Sequence, residues 1–172
     1  MHRRDVVLGA LAALLVKDVS AQGVRRVRPG DTVSTGADSE TVLVFGRDAM
    51  LVRANASLTI LEDGFRLVTG AVLGVFAPGQ RRELRTSTAT IGIRGTAVYL
   101  EAERTRTYVC TCYGETVLEP ADDPGARETV SPKRRHEQPR YILARGAPRM
   151  MAPAPVLNHT DAEIELLQKL LR

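Results

Sequence analysis

LRTSTATIGIRGTAVYLEA, residues 84–102, is the stretch of sequence that decides the fold. β-branched, aromatic and apolar residues lie on both sides of Arg94-Gly95-Thr96, and such residues favour strands that pack on a core. Gly92 and Gly95 lie at the junction, and glycine is the residue that most readily takes a positive φ or a bulge within a strand. The stretch therefore predicts two core strands joined by a tight connection at Arg94-Gly95-Thr96.

Short apolar runs continue on both sides of this stretch, and their spacing between turn signals is typical of many short strands. The predicted turns include Pro78-Gly79 and Tyr113-Gly114. The predicted fold class is all-β, either a β-sandwich or a short β-roll. We predict strands at Thr41–Phe45, Ala49–Arg53, Ser57–Leu61, Phe65–Val68, Ala71–Phe76, Arg82–Thr86, Thr88–Ile93, Thr96–Ala102, Arg106–Cys112 and Thr116–Glu119.

The threonine-rich strand that runs into Arg94-Gly95-Thr96 resembles the signature of the FecR domain, a family named for a periplasmic regulator of ferric citrate uptake. The likeness extends upstream through RPGDTVSTGADSETVLVFGRDAMLVRANASLTIL, residues 28–61, and covers about Val27 to Leu118. The resemblance implies a stand-alone all-β module over residues 22–119 that is exported from the cytoplasm, and it does not imply an enzymatic activity. The residues that carry it are Gly30, Thr35, Gly36 and Ser39 in the opening turn, with Gly92, Arg94, Gly95 and Thr96 as the structural motif.

Residues 1–21 have the features of a signal peptide. Arg3 and Arg4 precede an apolar run of 11 residues, and Val19-Ser20-Ala21 is a small-residue cleavage site. We predict cleavage after Ala21 and a periplasmic location. The run is shorter than the about 20 residues of a spanning helix, so the mature chain should have no stable membrane span. The arginine pair resembles a twin-arginine signal, and a general secretion signal is the alternative.

The charge distribution bears on possible partners. The formal net charge is +4, and the positive excess lies in Arg25, Arg26 and Arg28 and in residues 127–149. Aromatic residues make up 4% of the chain, tryptophan is absent, and no aromatic residues alternate with the basic ones. Because single-stranded nucleic acids are bound by interleaved basic and aromatic residues, nucleic-acid binding is not supported. A protein partner or an envelope component is the expected partner.

Residues 120–157 differ in composition from the predicted β domain. Six of the nine prolines lie between Ala121 and Pro155, together with most of the basic excess. Proline-rich segments of this kind form turns and irregular structure. We therefore predict an irregular basic arm that packs on the β domain, with one short strand at Arg140–Leu143.

Residues 158–172 predict a C-terminal amphipathic helix. Thr160 is a candidate N-cap, and Glu163, three residues later, is its capping-box partner. Ile164, Leu167, Leu170 and Leu171 form an apolar face. The helix should pack on the β domain or on a partner.

Two cysteines and two histidines are the soft metal ligands of the mature chain: Cys110, Cys112, His136 and His159. Residues two apart on a strand point to the same face, so the two cysteines should lie about 6.6 Å apart along the backbone. This separation is too long for a disulfide in a regular strand, although a bulge near Tyr113-Gly114 could allow one. Two thiolates and two imidazoles are the number and type of ligands for a tetrahedral zinc-like site.

Other interpretations of these four residues stay open. The cysteines could form a disulfide or redox pair, or be buried thiols without a function. His136 lies in the charged run Lys133-Arg134-Arg135-His136-Glu137, and His159 precedes the predicted N-cap. Haem is a further candidate cofactor, since cysteine and histidine also ligate haem iron.

Two function classes follow from the sequence. The first is an exported, non-enzymatic FecR-like binding or signalling module of the bacterial cell envelope. The alternative is a metal- or haem-binding periplasmic protein, with a possible redox role, that uses Cys110, Cys112, His136 and His159. The sequence shows no catalytic acid pair or nucleophile motif, so we expect no enzymatic activity.

Overall fold

The computed structural model describes residues 23–172, so the predicted signal peptide over residues 1–21 lies outside the described residues. The described chain is all-β with one short helix, as predicted. All strands belong to one continuously hydrogen-bonded sheet. The elements are β1 Arg25–Arg26, β2 Thr32–Ser34, β3 Thr41–Phe45, β4 Asp48–Val52, β5 Ser57–Leu61, β6 Gly64–Val75, β7 Arg81–Arg85, β8 Ala89–Ala102, β9 Arg106–Pro120, β10 Glu128–Val130, β11 Arg140–Leu143, β12 Met151–Pro153 and α1 Asp161–Lys169.

Three strands are longer than predicted, because glycines that fall between predicted strands lie within continuous strands. The expected tight connection at Arg94-Gly95-Thr96 is wrong: β8 runs through it, with a shift of register against β9 between Arg94 and Ala97. Tyr113-Gly114 likewise lies inside β9, and Gly70 lies inside β6. Gly70, Gly95 and Gly114 have φ of 87, 61 and 83°. Positive φ at these points bends each strand without ending it.

Each bend changes the strand's neighbours, and the sheet consequently folds into two layers. Residues 90–94 of β8 pair with β7, whereas residues 97–102 pair with β6. The first layer contains β2, β5, β7, β10 and one half each of β6, β8 and β9. The second layer contains β1, β3, β4, β11, β12 and the other halves. Strands that pass between layers at bulges or bends are a known way to close a sandwich.

Two hydrophobic clusters lie on opposite faces of the second layer. The inner cluster fills the space between the layers and contains residues from both, such as Leu58 and Ile91 from the first and Met50 and Val98 from the second. The outer cluster covers the second layer's other face. Because side chains alternate along a strand, neighbouring residues of β4, β8 and β9 belong to different clusters. The outer cluster contains Val42, Ala49, Leu51, Leu73, Val75, Ala97, Tyr99, Tyr108, Cys110, Cys112, Ile164 and Leu167.

The connection after β6 packs against the bend in β8. The backbone N–H of Phe76 donates to Thr96 O at 2.9 Å, and the N–H of Ala77 donates to the buried carboxylate of Asp48 at 2.9 Å. Arg82 Nε also donates to Asp48, at 2.6 Å. Removing one partner of a buried ion pair leaves an uncompensated charge, so this pair fixes the connection firmly in place.

The predicted arm is more regular than its composition suggested. The strand at Arg140–Leu143 has the predicted bounds and pairs with β9. β10 and β12 were not predicted, because each has only three residues. A proline also follows β10, and another lies within β12. β10 pairs with β9, and β12 pairs with β11. Tertiary pairing therefore orders a segment whose local sequence favours turns.

The C-terminal helix begins as predicted. Thr160 Oγ1 accepts from Glu163 N, and a Glu163 carboxylate oxygen accepts from Thr160 N at 2.9 Å, which completes the capping box. Ile164 and Leu167 are fully buried in the outer cluster, whereas Leu170 is exposed. A nine-residue helix is shorter than the about 12–15 residues at which isolated helices become marginally stable. Its place on the sheet must therefore come from tertiary contacts. Within residues 23–172, no helix combines the length and apolar character needed to cross a membrane.

Replacing Gly95 by alanine should destabilise the fold by about 1–3 kcal/mol. The new side chain would have to adopt a φ of 61°, and its Cβ would lie 3.1 Å from Pro78 Cα. Gly92→Ala is the matched control, since Gly92 has no positive φ and its Cβ would lie 3.8 Å from Val117 Cβ, an ordinary contact. Thermal unfolding measures both. Equal midpoints for the two variants would show that the bend does not depend on Gly95.

Candidate metal centre

The second layer places both cysteines on its outer face. Tyr108, Cys110 and Cys112 alternate along β9 with residues that face inward, and both cysteines are fully buried beneath the C-terminal segment. Both thiols are free, so the disulfide alternative is not formed in this structure. The two cysteine side chains therefore lie on the same face of β9, as their spacing predicted.

The two histidines reach the cysteines from different segments. His136 lies between β10 and β11, and its backbone N–H donates to Cys112 O at 3.2 Å. Its φ is 61°, in the left-handed region where only a few per cent of non-glycine residues are found. Such backbone strain persists only where surrounding contacts hold it, and it is often associated with function. His159 immediately precedes the N-cap of α1 and is 8% exposed.

The four side chains converge on one point. One ligand atom from each of Cys110, Cys112, His136 and His159 lies within 4.8 Å of all the others. Cys110 Sγ is 3.7 Å from His136 Nδ1, and His136 Nδ1 is 3.0 Å from His159 Nε2. In a tetrahedral zinc site with bonds of about 2.0–2.3 Å, ligand atoms lie about 3.3–3.8 Å apart. The cluster is therefore close to the size that one such ion requires.

The tautomers of both imidazoles follow from the hydrogen-bond acceptors next to their outer nitrogens. His136 Nε2 lies 3.1 Å from Asp161 Oδ1, and His159 Nδ1 contacts the carbonyl oxygen of Leu157. Carboxylate and carbonyl oxygens accept hydrogen bonds, so these outer nitrogens carry the protons. Metal-ligating histidines are typically held in this way, with the second nitrogen donating to a carboxylate or a backbone carbonyl.

This assignment leaves two lone pairs facing each other. His136 Nδ1 and His159 Nε2 are then both unprotonated, although they lie only 3.0 Å apart. Two nitrogen lone pairs at this distance repel each other unless a cation lies between or beside them. A metal ion coordinated by both nitrogens removes the repulsion, and a proton on one ring is the other way to do so.

The thiols differ in their acidity. The hydrogen bond from Cys112 is the largest cause that lowers the pKa of Cys110 to about 5, against the opposing effect of burial. The hydrogen bond to Cys110, followed by burial, raises the pKa of Cys112. The environment thus stabilises a thiolate at Cys110, and thiolate is the form of cysteine that binds metals.

Side chains around the cluster fix the ligands from outside. Tyr99 stacks on the His159 ring with centroids 4.5 Å apart and an interplanar angle of 19°. Arg135 donates to Asp161 at 2.8 Å, and this hydrogen bond, followed by that from His136, lowers the pKa of Asp161. Sequence analysis did not single out Asp161. Nothing in the local sequence indicated that its carboxylate contacts His136, 25 residues earlier.

The residues that resemble the FecR motif are separate from the candidate metal ligands. Gly92, Arg94, Gly95 and Thr96 belong to the bent portion of β8, where Arg94 is exposed and Thr96 is buried. The Thr96 hydroxyl has no hydrogen-bond partner among the described residues. None of the four is among the converging ligand atoms. Their contribution is to the shape of the sheet.

A cavity of about 470 Å³ opens beside Tyr99. Each of its charged side chains already has a hydrogen-bond or ion-pair partner within the described chain. These pairs are Arg53 with Glu163, Glu101 with Asn158, and Glu103 with Arg106. The Cys/His cluster is therefore the better candidate for a functional site.

Comparisons with known proteins bear on the fold. No protein-family model and no curated protein matches the chain. Among solved structures, two crystal structures of a protein from Parabacteroides distasonis ATCC 8503, each described as a "putative anti-sigma factor", match with a TM-score of 0.58 and 12% identity. The match covers 72% of this chain and 59% of theirs, so this chain corresponds to less than two thirds of those proteins. At this identity, the likeness shows a shared fold.

For an ion bound at the cluster, Asp161→Asn should weaken binding by about 10–100-fold, which is the usual cost of losing an outer partner of a metal-ligating histidine. The reason is that His136 Nε2 would lose its carboxylate acceptor. Glu165→Gln is the matched control, since it removes an exposed acid from the same helix without touching a ligand. Competition with a coloured chelator measures both affinities. Equal affinities would show that Asp161 does not position His136.

Proposed function

We propose that this protein is a zinc-binding, non-enzymatic module of the bacterial cell envelope, in which Cys110, Cys112, His136 and His159 hold one ion. The observation that carries the proposal is the convergence of two sulfur and two nitrogen atoms within 4.8 Å. The outer hydrogen bonds of both imidazoles support it, because they turn the unprotonated nitrogens towards the cysteines. This ligand set suits zinc better than a hard cation, which prefers oxygen ligands.

The closed shape of the site supports a structural role for the ion. All four tetrahedral positions are supplied by the protein, whereas a catalytic zinc site leaves one position open for water or substrate. Cys110 and Cys112 are fully buried. Reactive cysteines are partially exposed, so burial also argues against a nucleophilic or redox role for this pair.

The arrangement of the four ligand atoms favours a single metal ion over haem. Haem iron is coordinated in the plane by its macrocycle, so protein ligands approach it along the axis. Here His136 Nδ1 and His159 Nε2 lie 3.0 Å apart and share one small centre with both sulfurs. A planar macrocycle would have to separate these atoms.

The fold supports a binding or signalling role for the module. Two likenesses point to bacterial signalling: the FecR resemblance of residues 27–118, and the fold shared with proteins described as anti-sigma factors. A closed metal site on a β scaffold suits such a role, because it stabilises a surface without performing chemistry. The expected partner is a protein or an envelope component.

Metal analysis of the purified protein tests the proposal. We expect about one equivalent of zinc, with replacement by cobalt giving the visible spectrum of a tetrahedral ion with thiolate ligands. Cys112→Ser should lose the ion. Thr111→Ser is the matched control, because it changes the neighbouring residue of β9, whose hydroxyl pairs with Thr116. A metal-free wild-type protein that also fails to take up zinc or cobalt would contradict the proposal.

Metal binding should weaken as the pH is lowered from about 8 to about 5, because both thiols and both imidazoles must be deprotonated to bind the ion. The lowered pKa of Cys110 keeps its thiolate available at a lower pH than that of an ordinary thiol. The raised pKa of Cys112 means that this thiol must release a proton as the metal binds. Affinity measured across this range should therefore rise with pH, and a flat profile would exclude thiolate coordination.

The envelope location makes a separate prediction. Protein isolated from the envelope fraction should begin at Gln22, and N-terminal sequencing measures this. Replacing Arg3 and Arg4 by lysine should block export only if the twin-arginine route is used. Envelope-localised protein that begins at Met1 would contradict cleavage. Protein confined to the cytoplasm would contradict the envelope location while leaving the metal site in place.

A further inference from the structure

The candidate metal site joins three segments that are distant in the chain. Cys110 and Cys112 belong to a strand in the middle of the second layer. His136 lies 26 residues beyond Cys110, and His159 lies 23 residues beyond His136. His159 is also adjacent to the N-cap of α1. An ion at this point therefore ties the beginning of the helix directly to the sheet.

The helix has few apolar contacts of its own. Only Ile164 and Leu167 of α1 are buried, and the helix is nine residues long. Ala154 and Leu157 of the preceding segment pack on the outer cluster, and they are only partly buried. A short helix of this kind depends on its tertiary links, because it is too short to persist alone.

Polar side chains also connect residues 154–172 to the sheet. Arg53 forms an ion pair with Glu163 at 2.7 Å and donates to Asn158 O at 3.0 Å. Tyr108 Oη donates to Pro155 O at 2.8 Å and accepts from Leu157 N at 3.1 Å. A single hydrogen bond or near-surface ion pair contributes little net stability. The ion would be the strongest connection between the C-terminal segment, residues 154–172, and the sheet.

The two-layer sheet does not share this dependence. The inner cluster contains no metal ligand and no residue of α1. β9 pairs with β8 along its length, from Ala102–Thr107 to Ala89–Pro120, independently of the histidines. The inner cluster and the strand pairing should therefore survive when the C-terminal segment leaves the outer face.

We propose that the ion acts as a clasp, so that metal occupancy decides whether residues 154–172 are docked on the outer face or released from it while the two-layer sheet stays folded. This inference rests on the proposed metal site and adds a regulatory consequence to it. Release would uncover the outer cluster, including Leu51, Leu73 and Tyr99, which are fully buried in the docked state. Metal supply would then control the exposure of an apolar surface.

Hydrogen exchange of the zinc-loaded protein, before and after treatment with a chelator, tests the clasp. We expect backbone amides of α1 to exchange at least about tenfold faster after zinc removal, because local opening raises exchange. Amides of β5 and β7, which face the inner cluster, should keep their protection. Binding of a hydrophobic dye should increase in parallel, and both changes should reverse when zinc is restored.

Arg53→Gln is the control for the polar links. It removes the ion pair with Glu163 without touching a metal ligand, so the zinc-loaded variant should keep α1 protected. Cys112→Ser should show fast exchange in α1 with no further response to the chelator. If Arg53→Gln alone releases the helix in the presence of bound zinc, the polar links hold the segment and the clasp is overturned.

The outcomes separate the two proposals. If zinc binds and α1 stays protected after zinc removal, the clasp is wrong and the metal site stands. If zinc removal also exposes β5 and β7, the ion supports the whole fold and the clasp is again wrong. If neither zinc nor cobalt binds, the metal site itself fails, and the clasp fails with it.

Discussion

The close approach of β8 and β9 at Gly95 and Gly114 is the constraint on which the rest of the structure depends. A Cβ on Gly114 would lie 2.4 Å from Thr96 Cγ2 and 2.7 Å from Gly95 O, so the two backbones can meet there only with glycine at position 114. Both glycines have positive φ, and the bend that they share turns one sheet into two layers. The bend therefore creates both an enclosed core and a second, outer face.

Alternation along β9 places the candidate sulfur ligands on the outer face. Once Val109 points into the inner cluster, Cys110 and Cys112 must point outward. Apolar neighbours on β3, β4, β6 and β8 then make this face a surface that has to be covered. The C-terminal segment covers it and brings His159, while the turn before β11 brings His136. The candidate metal ligands thus gather where a hydrophobic surface and its cover meet.

The sequence was most informative where local chemistry determines structure. It predicted the shared face of Cys110 and Cys112 from their spacing, and the start of α1 from Thr160 and Glu163. It was wrong about the connection at Gly95, because a glycine within a strand and a glycine in a turn leave the same local signal. The contact between Asp161 and His136 could not be predicted, since it joins residues that only the folded chain brings together. The FecR resemblance and the metal site itself stay predictions.

The distribution of aromatic residues gives the two faces different optical properties. All four tyrosines, Tyr99, Tyr108, Tyr113 and Tyr141, lie in or against the outer cluster, and the chain has no tryptophan. The three phenylalanines, Phe45, Phe65 and Phe76, lie in or against the inner cluster. Near-ultraviolet circular dichroism and intrinsic fluorescence arise mainly from tyrosine in such a chain. These signals therefore come from the face that holds the candidate metal ligands, and the enclosed core contributes little to them.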